Sequence, residues 1–352
     1  MERYIGLDVH AHSCTITVMG PSGKRLRSLV VETNGAAVVE AILSVAGQRH
    51  VCFEEGTQSA WLHELLRPHV VEIVVMVPPK HNGPKDDLRD AWACADAIRT
   101  GATGTRVYKA PEHLAALRNA VRAYGFAVRD VVRAKNRLKS VFLSRGIVAD
   151  SVVYDADRRG KWLKKLPPAH RRLADWLGRQ LDELHSLREE ADGWLAKEAR
   201  THPIIRTLST APGLGPIRCA QLVAIVVTPE RFRTSRQFWS YSGLSIVTRS
   251  SANWKPNGAG KMVRVEHQQT LGLTRKRHPL LKAVFKGAAT TVIEQMPKHP
   301  LHEDYQRMLA SGRKPNLAKL TLSRRIAAIV LSMWKHKEEY DPKRHAGVTV
   351  KA

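Results

Sequence analysis

Five carboxylates stand where carboxylates are costly. Asp8 lies inside the apolar strand-like run "YIGLDVH", and Glu54 and Glu55 close a second run, "HVCFEE". A helix-like stretch, "DDLRDAWACADAIR", carries Asp87 and Asp90 three residues apart, a spacing that points two side chains the same way. An acid flanked by apolar strand residues loses hydration unless something compensates its charge. Acids gathered at two strand ends and a helix edge also repel one another. The simplest neutraliser is a hard divalent cation that takes oxygen ligands, Mg²⁺ or Mn²⁺. An ion held in this way polarises a phosphodiester and stabilises its leaving oxygen.

The elements that must position these acids are legible. The stretch "RYIGLDVHAHSCTITVMGPSGKRLRSLVVET" reads as three strands of an antiparallel meander. A helix (GAAVVEAILSVAG), a strand (HVCFEE), a helix (SAWLHELLRPH) and a strand (VEIVVMV) follow, the last stopped by Pro78 and Pro79. The acidic helix ends at Gly101, and "TRVYKA" reads as a short final strand. A meander followed by alternating strands and helices predicts a mixed α/β sheet over 1–108. On the acidic helix, Leu88, Ala91, Trp92, Ala95 and Ile98 form the expected buried stripe. Asp87 and Asp90 border it and Asp86 faces solvent.

From Pro111 the strands stop. The segment 109–200 reads as two long helices. The first carries Arg118, Arg122, Arg129, Arg133, Arg137 and Lys139 beside an apolar side marked by Leu117, Val121, Val131 and Leu138. Such a density of one sign suits a phosphate backbone. The second spaces Leu173, Leu177, Leu181, Leu184, Leu187, Ala191 and Trp194 by threes and fours, which predicts a coiled-coil dimerisation arm. The remainder, 201–352, is expected to be mostly helical. Its "PGLG" (212–215) lies between two helical runs, a helix-hairpin-helix pattern in which Gly213 and Gly215 let backbone amides approach a phosphate. "NGAGKM" is no phosphate-binding P-loop, because Met262 stands where Ser or Thr is needed.

Composition narrows the partners. The 352 residues carry 57 Lys+Arg against 32 Asp+Glu, a formal net charge of +25, which favours a polyanion and above all nucleic acid. No apolar run reaches the roughly 18 residues that span a bilayer. The first residues show no signal-peptide pattern, so the expected location is the cytoplasm. Cys14, Cys52, Cys94 and Cys219 are widely separated and read as reduced core thiols.

"IGLDVH", "CFEEGTQ" and "KDDLRDAWACADAIR", with "PGLG" and "FWSYSGLSIVTRSSANWKPNGAGK" behind them, resemble the DEDD insertion-sequence transposases. These are related to the pilin-gene inverting recombinases and the bridge-RNA-guided recombinases. The resemblance implies an RNase H-like (RuvC-like) N-terminal domain with Asp8, Glu54, Asp87 and Asp90 as metal ligands. It leaves Glu55 as the alternative to Glu54. It implies a C-terminal transposase domain with a serine nucleophile, matched here to Ser251 with Ser250 as the fallback, and with Arg249, Lys255 and Lys261 near the phosphate. The function so implied is a transposase that cuts and rejoins double-stranded donor and target DNA through serine, assisted by Mg²⁺, guided by a noncoding bridge RNA, and assembled as dimers that pair into tetramers. The alternative is a metal-dependent, Holliday-junction resolvase-like nuclease with no covalent serine intermediate. A non-catalytic nucleic-acid scaffold is disfavoured by the acids themselves, which weaken phosphate binding.

Overall fold

The computed structural model describes residues 1–77, 86–275 and 277–345; the side chains of 249–253, 264–269 and 344–345 lie outside what it describes, as do Pro78 and Pro79. Two compact units divide the chain, Met1–Glu112 and His113–Ala352.

The first unit is built on a five-stranded sheet of order β3-β2-β1-β4-β5. Strands β1 (Glu2–Val9), β2 (Ser13–Met19) and β3 (Arg25–Glu32) form the expected antiparallel meander. Strands β4 (Gln48–Glu54) and β5 (Glu72–Met76) then add parallel to β1. Helices α1 (Gly35–Leu43) and α2 (Ser59–Leu66) make the intervening crossovers. Period-two alternation assigns each strand residue to a face. Ile5, Leu7, Ile16, Val51, Phe53 and Val75 pack with Val38, Ile42, Leu62 and Leu66 of α1 and α2. The opposite face presents Cys52, Val74 and Met76 to Cys94 and Ile98 of α3 (Asp87–Thr100).

Helix α3 lies against β1 because position 6 has no side chain. A Cβ on Gly6 would sit 1.8 Å from the carbonyl oxygen of Ala91 and 2.4 Å from the amide of Ala95. The helix starts where Asp86 accepts the Leu88 amide at 3.0 Å and ends at Gly101, left-handed with φ 74°. The buried stripe is Ala91, Cys94, Ala95 and Ile98; Leu88 and Trp92 are exposed, contrary to the periodicity. Small residues must face the contact, since the backbones are too close for leucine or tryptophan.

The segment TRVYKA is not a strand. It makes one isolated antiparallel bridge, Arg106 with Met76, and two flanking bonds, Val77 N–H to Thr105 O and Val107 N–H to Val75 O. Lys109 then turns toward Ser59, its Nζ 2.7 Å from that hydroxyl, and the ladder stops.

The second unit opens with α4 (Ala115–Leu143), joined through the short α5 (Arg159–Leu163) to α6 (Pro168–Arg200). These long helices pair antiparallel within the chain. Val131, Leu138 and Phe142 of α4 meet Ala174, Leu177 and Leu181 of α6, while Leu117 and Val121 share a core with Leu195 and Ala199 at the other end. The heptad-like stripe is thus spent largely on α4, although Leu173, Leu187 and Trp194 stay exposed. Buried Arg159 clamps the hairpin through two bonds to Asp182, at 2.9 and 2.6 Å.

Helices α7 (Pro203–Leu208), α8 (Pro216–Val226), α9 (Ser235–Tyr241), α10 (Pro279–Gln295), α11 (Pro300–Ala310) and α12 (Pro315–His336) complete the second unit. Helix α12 buries Ile326–Leu331 without interruption and packs against α7, α9, α10 and α11. The helix stops at His336, before Tyr340-Asp341-Pro342. Between α9 and α10, within the part expected to be mostly helical, lies a long antiparallel hairpin, β6 (Ile246–Pro256) and β7 (Met262–Leu273). Its turn is closed by Asn257, whose Oδ1 accepts the amides of Ala259 and Lys261 at 3.1 and 2.9 Å, with Gly260 left-handed at φ 73°.

Gly6→Ala is expected to destabilise the protein by on the order of 3 kcal/mol, the cost of overpacking against rigid backbone. Urea unfolding checks this, with Gly258→Ala as the control, since nothing lies within 4 Å of a Cβ there.

Candidate metal centre

Gly6 and Asp8 alternate onto the α3 face of β1, and Cys52 and Glu54 do the same on β4. The parallel register pairs Gly6 with Cys52 and Leu7 with Phe53, which sets Asp8 and Glu54 side by side at the strand ends. The first turn of α3 supplies Asp87 and Asp90 on that same face. Glu55 alternates away. Its carboxylate accepts the Ser59 hydroxyl at 3.0 Å and pairs with Lys109. The geometry therefore groups Glu54, not Glu55, with Asp8 and the α3 acids.

A residue absent from the sequence-derived set joins them. His10 Nε2 lies 3.2 Å from Asp8 Oδ2 and 3.3 Å from Asp87 Oδ1. These three side chains could hold one ion, their ligand atoms all lying within 4.8 Å of one another. The signal was present in "LDVH": residues i and i+2 of an extended chain share a face. The β1–β2 turn fixes His10, its N–H donating to Ser13 O at 2.9 Å and its carbonyl accepting the Thr33 hydroxyl at 2.9 Å. A cleft of about 520 Å³ opens beside the acids, lined by Asp8, His10, Glu54, Glu55, Thr57 and Ser59 among others.

The electrostatics are those of crowded carboxylates. Burial raises the Asp8 pKa above its ordinary value; His10 beside it opposes the rise, and the charges of Asp87 and Asp90 add to it. Cys94, behind the acids, is held as a neutral thiol by its hydrogen bond with Cys52, by burial, and by the charges of Cys52, Glu54 and Asp8. All four cysteines are buried and free. The donor set of carboxylate oxygens with one imidazole fits a divalent cation.

The basic residues fall elsewhere. Arg122, Arg129, Arg133, Arg137 and Lys139 line the exposed side of α4, with Arg118 half-buried among them. Arg133 pairs with Asp130, and the Arg129 guanidinium lies 5.1 Å from the ring of exposed Phe126. In the second unit, Gly213 is left-handed at φ 71° and packs so close to α10 that a Cβ would meet Ala288 O at 2.3 Å. Arg218 ties this turn down through Gly213 O at 2.7 Å and Thr291 Oγ1 at 3.0 Å. Gly215 caps α8 from an exposed position. Lys255 and Lys261 are exposed near the tip of the β6–β7 hairpin. Ser250 and Ser251 stand in β6, paired through the backbone with Gln268 and His267; their side chains, like that of Arg249, lie outside the described residues.

A mixed sheet of this order, with helices on both faces and acids at the ends of its two central strands, fits an α/β RNase H-like domain. Residues 5–145 match the family model described as Transposase, the DEDD transposases of IS110, and residues 205–306 match that of the transposases of the IS116/IS110/IS902 family. The chain belongs to the IS110 family of DEDD transposases. It is 26% identical over 176 residues to an uncharacterized protein of insertion element IS110 from Streptomyces coelicolor, a match covering 50% of this chain and 40% of that one. It is also 26% identical over 228 residues to a putative transposase of Sinorhizobium fredii, covering 64% and 51%. The chain thus spans about half the length, or less, of these curated relatives. Among the described residues no helix is long and apolar enough to cross a membrane.

Because Asp8 binds its proton more tightly folded than unfolded, its ionisation opposes folding at every pH above the ordinary value of 3.8. Asp8→Asn is therefore expected to raise the urea midpoint of chelator-treated protein at pH 7. The gain should shrink as pH falls toward and below 3.8, where the wild-type acid is increasingly protonated in both states. Equal midpoints at pH 7 would contradict the crowding.

Proposed function

We propose that this chain is the DNA transposase of an insertion element, cutting and rejoining donor and target strands. The observation that supports the reading is the meeting of Asp8 and Asp87 at His10, with Asp90 in the same helix turn and Glu54 on the same sheet face as Asp8, in a chain belonging to a transposase family. These acids would hold Mg²⁺ or Mn²⁺, which when bound supplies charge stabilisation to a phosphodiester. Asp8, more buried than Asp87, would orient the set from the strand, while Asp87 and Asp90 would complete it from the helix.

Ser251 Oγ is the proposed nucleophile. Its attack forms an Oγ–P bond and breaks a P–O(deoxyribose) bond, the serine proton leaving with the released sugar hydroxyl. The phosphoserine conserves the bond for rejoining, when an incoming sugar hydroxyl reverses the exchange. Lys255 and Lys261, exposed on the same hairpin, and Arg249 supply positive charge toward the phosphate. The basic face of α4 and the exposed Gly215 amide at the start of α8, in helix-hairpin-helix fashion, would bind nucleic-acid backbone. A noncoding bridge RNA is the proposed guide. Assembly into dimers and tetramers would use the exposed face of α6 that carries Leu173, Trp176, Leu187 and Trp194.

The test is a nicked or suicide donor substrate resolved on denaturing gels. Ser251→Ala is expected to abolish the covalent protein–DNA adduct and to lower strand exchange by at least roughly 10³-fold, the scale on which loss of a nucleophile acts. Asp8→Asn and Asp87→Asn should lower exchange comparably. If Ser251→Ala and Ser250→Ala each keep full exchange, the serine mechanism fails. Cleavage that persists without any adduct but still needs the acids would favour the hydrolytic, resolvase-like alternative.

A further inference from the structure

The proposed acids leave His10 unexplained, although it is the side chain that touches two of them. Its Nε2 stands 3.2 Å from one Asp8 oxygen and 3.3 Å from one Asp87 oxygen. Around an octahedral ion with donors at about 2.1–2.2 Å, neighbouring donors lie about 3.0 Å apart. The Asp8–His10–Asp87 separations are thus close to the edges of such a polyhedron, and all three atoms fall within 4.8 Å of one another. A surface histidine held by chance would be free to swing. Here the residue follows β1 directly, its backbone is tied to Ser13 and Thr33, and its ring is held between the two aspartates.

We infer that His10 is a nitrogen ligand of the metal centre, and that it makes this centre prefer Mn²⁺ over Mg²⁺. The inference rests on the reading of Asp8 and Asp87 as metal-binding acids and adds an imidazole to them. The chemistry follows from donor type. Mg²⁺ takes oxygen and keeps its waters, so an added imidazole offers it little. First-row transition dications accept imidazole nitrogen along with carboxylate oxygen, and Mn²⁺ is among those that also tolerate an oxygen-rich set. In the absence of metal the same imidazole bridges the two aspartates, moderating the repulsion that a site of carboxylates alone would carry.

The experiment uses the full chain, first stripped with chelator, and Mn²⁺ as the probe. Binding is followed by loss of the free-ion electron paramagnetic resonance signal, and directly bound nitrogen by electron spin echo modulation from ¹⁴N. Mg²⁺ affinity is read by competition. Wild type is expected to bind Mn²⁺ with nitrogen modulation. His10→Ala and His10→Gln should both lose that modulation. Mn²⁺ binding should weaken in each by at least about tenfold, a loss that even outer-sphere partners of a metal can cause, while Mg²⁺ binding changes less than about twofold. Circular dichroism confirms that each variant is folded. Modulation that persists in the folded variants overturns the inference, as does equal weakening of the two ions. If wild type binds Mn²⁺ without nitrogen modulation and Asp8→Asn abolishes that binding, His10 is not a ligand and the acidic site stands. If wild type binds no Mn²⁺ at all, the metal-dependent reading falls with it.

Discussion

The close approach of α3 to β1 at Gly6 is the constraint on which the candidate site depends. With no side chain at position 6, the helix backbone comes within the space that a Cβ would fill. Ala91, Cys94 and Ala95 can then sit flat on the sheet, and the first turn of α3 overhangs the end of β1. That overhang brings Asp87 to the same imidazole as Asp8. A bulkier contact residue would lift the helix and move Asp87 away from Asp8 and His10. The tight packing has a second effect: Asp8 and Glu54 lie at the border of a dry layer containing Cys52 and Cys94, so their charges are poorly screened.

Charge is partitioned in this molecule. The chain carries +25 overall, yet a group of acids gathers at strand ends and a helix start in the first unit. In the second unit the arginines of α4 lie opposite its buried stripe, and the lysines of the β6–β7 hairpin gather toward its tip. A net positive charge of this size attracts a polyanion broadly. The two long helices of the second unit reach the same end by using each other as core: the intrachain pairing of α4 with α6 leaves the basic side of α4 uncovered within that hairpin.

Much of this was legible in residue order. Alternation and turn residues predict all five strands of the first sheet, the crossovers and α3 with its glycine stop, because each is specified by neighbours a few positions away. The four acids are legible too, since charge on an apolar strand stands out. The stripe of α3 was misjudged because periodicity favours the largest apolar residues, Leu88 and Trp92, whereas the Gly6 contact admits only small ones. The hairpin at 246–273 was hidden for a related reason. Its alternation is broken by serines, a proline and glycines, and its ladder is set by pairing across the Asn257–Lys261 turn.

The sequence by itself determined the acidic set, the basic excess, the meander and the helix ends, all of which follow from local propensity and composition. Only the tertiary structure decided that Glu54 rather than Glu55 shares a face with Asp8, since that depends on which side of β4 receives α3 and on Lys109 and Ser59 engaging Glu55. Only the tertiary structure brought His10 between Asp8 and Asp87, residues 77 to 79 positions apart in chain order in the case of the helix acid. Distances between remote residues are set by packing, and the packing here turns on a backbone contact that no residue pattern encodes except as a single glycine.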